Sequence, residues 1–295
     1  MTLYLDPPVW PAHGTVFSHL VSDTSLAELH AFAAGAGIAA RAFDRDHYDV
    51  PQRRYADLVH RGAVEVSGND LVRRLIASGL RVPARERPES LQGALLQRWS
   101  RVLPGRQAIG RDLLARWSEP HRHYHGPKHL LAVLEALALL TAQPEQPVLL
   151  AAWFHDAVYR GAAGADEEQS AQLAQSALAR AGLPAAPVRE TVRLIRLTAA
   201  HAAGPADDGG ALLCDADLSV LGGTPEQYRR YLAAVRADYA HVGDADFAAG
   251  RAAVVRRLLG LDPLFHTRGA QNQWLAAAQR NLEDELSGDL WKPER

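Results

Sequence analysis

Along residues 1–82, short apolar runs alternate with stretches in which apolar side chains recur at helical spacing. Thr2–Leu5, Arg41–Phe43 and Ala63–Val66 read as strands, and Ser25–Ala36, Pro51–Arg61 and Asn69–Ser78 as helices. The boundaries have physical cues. Asp23-Thr-Ser opens one helix, with Glu28 placed to close a capping box, and Gly35 and Gly37 end it. Gly68-Asn69 opens another and Gly79 closes it. Strands alternating with helices predict a small α/β layer domain over 1–82. Val82–Glu89 then interrupts the pattern with two prolines and four charges, so 83–92 reads as a linker. From there the period is helical throughout, over about 91–102, 107–117, 127–142, 146–159, 166–181, 187–200, 224–240, 245–259 and 271–286. Thr224-Pro225-Glu226 is a cap followed by proline at the first helical position. Residues 93–295 are therefore expected to form an all-α domain, giving an α+β chain overall.

Composition narrows the classes. Of 295 residues, 47 % are apolar and 22 % charged, as in packed globular chains, and the formal net charge is −2. Basic and acidic residues are interspersed, so neither duplex nucleic acid nor an anionic membrane is an expected partner. The longest apolar runs, Leu130–Leu140 and Val148–Phe154, fall short of the roughly 18–20 residues that span a bilayer, and Glu135 interrupts the first. Met1-Thr-Leu-Tyr-Leu-Asp lacks the basic start and apolar core of a signal peptide. Cys214 is the only cysteine, so no intrachain disulfide forms and a cytoplasmic location is expected. Oligomeric state is left open, with Trp10, Trp99, Trp117 and Trp291 available to a core or an interface.

Three segments carry candidate chemistry. In Arg122-His-Tyr-His-Gly-Pro-Lys-His129, a helix starting near Pro127 puts His129 on its first turn, with His125 just before it. Val148-Leu-Leu-Ala-Ala-Trp-Phe-His-Asp156 reads as a buried helix that carries His155 and Asp156 inward. A buried carboxylate costs several kcal/mol unless it is compensated. A metal would compensate Asp156, and so would Arg122 or Arg160. In Ala211–Leu221, Asp215 and Asp217 are two apart, so only one of them faces a common site. Two imidazoles and two carboxylates from three buried segments suit a divalent ion, Mn, Fe, Co, Ni or Zn, or Mg.

The order His … His-Asp … Asp resembles the HD superfamily of metal-dependent phosphohydrolases. Tyr124-His125-Gly-Pro-Lys-His129 is similar to the YHNxxH element of cyclic-nucleotide phosphodiesterases, and Ala216-Asp217-Leu218-Ser219 to the segment around their last aspartate ligand. The resemblance implies His129, His155, Asp156 and Asp217 as metal ligands and His125 as general acid. Gly126-Pro127 replaces the asparagine context, and Tyr159 stands where an extended HDxxH motif has a histidine. Those departures point away from a two-metal site and from cyclic-nucleotide specificity. Over about residues 95–287 the chain is also similar to a group of bacterial predicted HD phosphohydrolases. The shared features are Glu167-x-x-Ser170-Ala171, Thr198-x-x-His201, Tyr231 to Tyr239 with Arg236, Gly250-Arg251 and Arg280-Asn281-Leu282. Residues 1–82 resemble a separate uncharacterised small bacterial domain through Tyr4–Trp10, Ser18–Asp23 and Phe43–Tyr48. There Asp6 and Asp44 are expected at strand ends with His19 and His47 nearby, and no catalytic role is assigned to them.

The expected reaction is hydrolysis of a phosphoester or phosphoanhydride in a small, nucleotide-like substrate by metal-activated water. Arg122 or Lys128 would neutralise phosphate; Glu167, His201 and Asp215 are candidates for supporting the ligands or for a second metal. Two other readings are a di-iron oxygenase on the HD fold and a non-catalytic metal- or nucleotide-binding sensor.

Overall fold

A computed structural model describes residues 2–12, 14–78, 80, 88–162 and 164–288. The chain divides into two compact units, Met1–Arg87 and Pro88–Arg295.

The first unit is a mixed sheet with helices on both faces. Its elements are β1 (Leu3–Leu5), β2 (Trp10–Ala12), β3 (Thr15–Ser22), α1 (Leu26–Gly35), β4 (Phe43–Asp44), β5 (His47–Pro51), α2 (Tyr55–His60), β6 (Val64–Glu65) and α3 (Gly68–Ala77). Strand order is β4-β5-β3-β1-β6, with β2 also on β3. Only β1 and β6 run parallel; the other pairs are antiparallel. Leu5, Leu20 and Val50 pack with Leu29 and Ala33 of α1 and Leu58 of α2. On the opposite face Tyr4 and Val21 pack with Leu71 and Leu75 of α3.

Several sequence expectations are corrected here. The eight-residue β3 shows no clean polar–apolar alternation, because Leu20 and Val21 are both fully buried, one on each face of the sheet. Arg41 lies in a 3-10 turn, Ala40–Ala42, and the strand is Phe43–Asp44. The helix expected over 51–61 shares that stretch with the end of β5 and a 3-10 turn, Gln52–Arg54. Ser25 caps α1 by accepting from Glu28 N, as its sequence suggests, but the Glu28 carboxylate accepts from Ser22 Oγ at 2.6 Å instead of closing the box. Gly79 and residues 83–87 of the expected linker lie outside the described residues.

The second unit is helical: α4 (Pro88–Val102), α5 (Gln107–Trp117), α6 (Pro127–Leu140), α7 (Gln146–Phe154), α8 (Ala165–Arg180), α9 (Ala185–Leu197), α10 (Asp208–Asp217), α11 (Pro225–Asp238), α12 (Asp244–Leu259), α13 (Arg268–Ala270) and α14 (Ala276–Ser287). Since α4 starts at Pro88, residues 88–92 are helix and not linker. Helix α10 packs against α6, α7 and α9. Of the tryptophans, Trp99, Trp117 and Trp153 are fully buried, and Trp117 Nε1 donates to Trp153 O at 3.0 Å. Trp99 and Trp117 are thus core, Trp10 is exposed, and Trp291 is outside the described residues. Among the described residues no helix is long and apolar enough to cross a membrane.

Candidate metal centre

Three helix termini bring the site together. Pro127 occupies the first position of α6, where its missing N–H costs nothing, and His129 follows on the first turn, 6 % exposed. Helix α7 is apolar all round and stops at Phe154, not at 159 as its sequence suggests. His155 is its C-cap: the backbone N donates to Ala151 O, and Nδ1 lies 2.9 Å from Ala152 O. A carbonyl can only accept, so Nδ1 carries the proton and Nε2 faces inward. Asp217 is the last residue of α10.

The distances set what this arrangement can hold. His129 Nε2 lies 3.0 Å from Asp217 Oδ1 and 3.4 Å from His155 Nε2, and His155 Nε2 lies 3.5 Å from Asp217 Oδ1. Two atoms bonded to one ion at about 2.1 Å, at angles between octahedral and tetrahedral, lie about 3.0–3.4 Å apart. The three separations fit that spacing. Asp156 Oδ2 reaches the same imidazoles at 3.3 Å from His155 and 3.8 Å from His129. Electrostatics agree with the spacing. Burial opposes ionisation of Asp217 and Asp156, but the facing imidazoles outweigh it and hold both carboxyls below the ordinary range. Burial likewise opposes charge on His155, and Asp156 and Asp217 overturn it, raising the imidazole well above its ordinary value. The pocket therefore favours positive charge at its centre. His201, in a left-handed conformation (φ 54) just past α9, points Nε2 at Asp217 Oδ2 at 2.8 Å. It orients that carboxylate.

His125 sits beside this quartet. Its Nδ1 lies 2.8 Å from Asp238 Oδ2 and its ring stacks on Tyr159 with centroids 4.1 Å apart. Burial opposes ionisation of Asp238, but bonds from His125 and from the backbone N–H groups of His123 and Tyr124 hold its carboxyl down at about 2. Asp238 was not found from the sequence; the signal was its place inside the Tyr231–Tyr239 segment. Tyr124 packs on His129 and on Tyr231, and burial pushes its phenol well above the ordinary range.

Two residues expected at the reaction do other work. The fully buried Arg122 side chain donates to Asp156 O at 2.6 Å, to His125 O and Ala157 O at 3.3 Å, and to Glu119 Oε2. It braces the backbone of both ligand segments and does not face the cavity. Arg122→Ala strands buried carbonyls, so the protein is expected to lose about 3 kcal/mol in urea unfolding. Lys128 is exposed and outside the cavity wall. Asp215 is also redirected: its carboxylate accepts from His266 N and Thr267 N, both at 2.7 Å, and closes the loop before α13. Glu167 lines the cavity but accepts from Gly164 N at 2.6 Å as the cap of α8.

Of the quartet, His129, Asp156 and Asp217 line a cavity of about 460 Å³. Beyond the polar end its wall is apolar, with Leu218, Leu221, Val235 and Phe247, and two arginines line it. Arg251 is held by Glu285 at 2.7 Å, while Arg257 is exposed and donates to Ala199 O.

Among the described residues, two clusters place ligand atoms close enough to share an ion: His129, His155 and Asp217 here, and His19, His47 and Asp49 in the first unit. The second cluster lies in the part of the chain that has a relative. Residues 3–78 match a family described as "Protein of unknown function (DUF4031)". The DUF4031 match spans the strands and helices of the first unit and none of the helical unit. Neither the curated proteins nor the solved structures contain a match to this chain.

Proposed function

We propose that the helical unit is a metal-dependent phosphohydrolase of the HD type, acting on a small, nucleotide-like phosphorylated substrate. The observation that carries this reading is the convergence of His129, His155, Asp156 and Asp217 at the end of a cavity of about 460 Å³. That volume is in the range of small-molecule sites. Two imidazoles in the ligand set favour Mn, Fe, Co, Ni or Zn over Mg. Such an ion supplies Lewis-acid polarisation of a phosphoryl group and water acidified towards neutrality.

The remaining roles belong to the chain. His155 is kept in one tautomer by Ala152 O, and Asp217 is oriented by His201. Asp238 accepts from Nδ1 of His125 and fixes its ring; in the imidazolium form Nε2 carries the second proton and would donate it to a leaving oxygen. Of the two arginines lining the cavity, Arg251 is paired with Glu285, and Arg257 takes the phosphate-neutralising role expected of Arg122 or Lys128. The apolar wall takes the organic part of the substrate and excludes water. A di-iron oxygenase needs more ligands, and the spare ones, His201 and Glu167 or Glu168, have other partners: His201 contacts Asp217, Glu167 caps α8, and Glu168 pairs with Arg196 at 2.6 Å.

The test is phosphate release from a panel of nucleotides and phosphomonoesters by protein loaded separately with Mn, Co and Zn, beside metal content. Turnover that vanishes on chelation and returns with metal supports the reading. Tight metal and nucleotide binding without turnover anywhere in the panel moves the assignment to a sensor.

A further inference from the structure

The first unit brings five chemistry-bearing residues to one place on its sheet, independently of the helical site. His19 on β3 is the cross-strand partner of Asp49 on β5, and His47 is two residues before Asp49. Alternation along a strand therefore puts all three side chains on one face. Asp6 follows β1 directly beside His19: its backbone N donates to His19 O, and Oδ1 accepts from His19 N. A two-residue turn between β4 and β5, with Arg45 at φ 63, places Asp46 next to His47. Asp44, expected from the sequence to join this group, pairs with Arg45 instead at 2.7 Å.

The hydrogen bonds sort these residues into two shells. His19 Nδ1 lies 3.0 Å from Asp6 Oδ2 and His47 Nδ1 lies 2.6 Å from Asp46 Oδ1. Asp6 and Asp46 are each 2 % exposed, so both imidazoles are tied from behind by a buried carboxylate. That back-bonding fixes the tautomer and leaves the two Nε2 atoms facing forward, the arrangement found behind metal-ligating histidines. Ahead of them is Asp49 Oδ1, 3.5 Å from His47 Nε2 and 3.8 Å from His19 Nε2. Those separations are long for direct hydrogen bonds. They are wider than the roughly 3.0–3.4 Å of ideal geometry, and on an ion at about 2.1 Å they correspond to ligand angles of about 113° and about 130°. Trp10 donates Nε1 to Asp6 Oδ2 at 3.1 Å and its ring packs on His19, 5.3 Å between centroids, while remaining half exposed.

We propose that the first unit holds a second, separate metal site in which His19 Nε2, His47 Nε2 and Asp49 Oδ1 bind a divalent transition ion such as zinc, with Asp6 and Asp46 positioning the imidazoles. Two histidines and one carboxylate leave coordination positions open, as in catalytic sites and unlike closed structural ones. Asp49 is half exposed, so the open side meets solvent. The site rests on the geometry of the first unit alone and stands whether or not the helical unit is a phosphohydrolase.

The experiment uses the full chain dialysed against micromolar zinc, with metal measured per chain in wild type, Asp49→Ala, His155→Ala and the double variant. Asp49→Ala is expected to remove about one zinc per chain in both backgrounds. His155→Ala is expected to keep the zinc that Asp49→Ala removes. Unchanged zinc on replacing Asp49 in both backgrounds overturns the proposal, as does a His155→Ala protein with no zinc left. Wild-type protein gives a second readout free of folding effects. Zinc is expected to shift the imidazole Nε2 resonances of His19 and His47, and resonances that do not move on saturation overturn the site.

Discussion

Asp217→Ala and His155→Ala are each expected to cost the helical unit its metal and to lower phosphate release roughly 10³-fold or more, since Lewis-acid and nucleophile activation together supply several kcal/mol of the barrier. The two side chains face each other at 3.5 Å, His155 fully buried and Asp217 14 % exposed. Removing either breaks the three-point spacing. Metal analysis and hydrolysis assays on the same samples check this. Metal retained in both variants would mean that the ion is held elsewhere, and the proposed mechanism would fall with the ligand set.

His125→Gln is expected to separate binding from chemistry. His125 is not part of the close ligand cluster; it lies beside it, with ring centroids 5.9 Å from His129. The variant should therefore bind metal as wild type does while kcat drops by roughly 10²–10⁴-fold, the usual loss when a positioned proton donor is removed. KM should change little, since in the proposed function the substrate's organic part would meet the apolar wall and its phosphate the metal and Arg257. Steady-state kinetics with metal analysis decides it: an unchanged kcat would remove His125 from the reaction. For substrates with a good leaving group the loss should shrink, because they need less help from an acid.

The contrast between Arg122 and Asp238 shows how far side-chain chemistry is legible in a linear chain. Arg122 is adjacent to the site segment and is a natural phosphate ligand by type, yet its donors go to the carbonyls of His125, Asp156 and Ala157. Carbonyls left unpaired where a chain turns inside a core need a donor, and a guanidinium carries five. Asp238 is 113 residues from His125 and was not found from the sequence, yet it orients that ring. Asp217 and Asp238 are the last residues of α10 and α11.

The same limit applies in the first unit. Strand β3 was not predicted because both its faces are covered, which erases the period-2 signal that marks a half-buried strand. Without β3 in place, His19 could not be set opposite Asp49, and the sequence puts His19 and His47 near Asp6 and Asp44 without showing that Asp49 faces them. The sequence pattern predicts helix α7 but extends it five residues too far, to 159 instead of Phe154. Its apolar run ends at Phe154, and the imidazole of His155 turns back to cap it.

What the sequence by itself determined was the division into a small α/β part and a helical part, the all-helical character of residues 93–288 where described, and the pairing of histidines with carboxylates inside apolar segments. Periodicity and the cost of burying charge are local properties, and they survive in a linear reading. Only the tertiary structure decided which imidazole nitrogen faces which oxygen, which arginine is structural, and that His19, His47 and Asp49 meet. Those outcomes depend on strand register and on which helix ends converge, contacts between residues far apart in the chain, set by packing and without a periodic trace in the sequence.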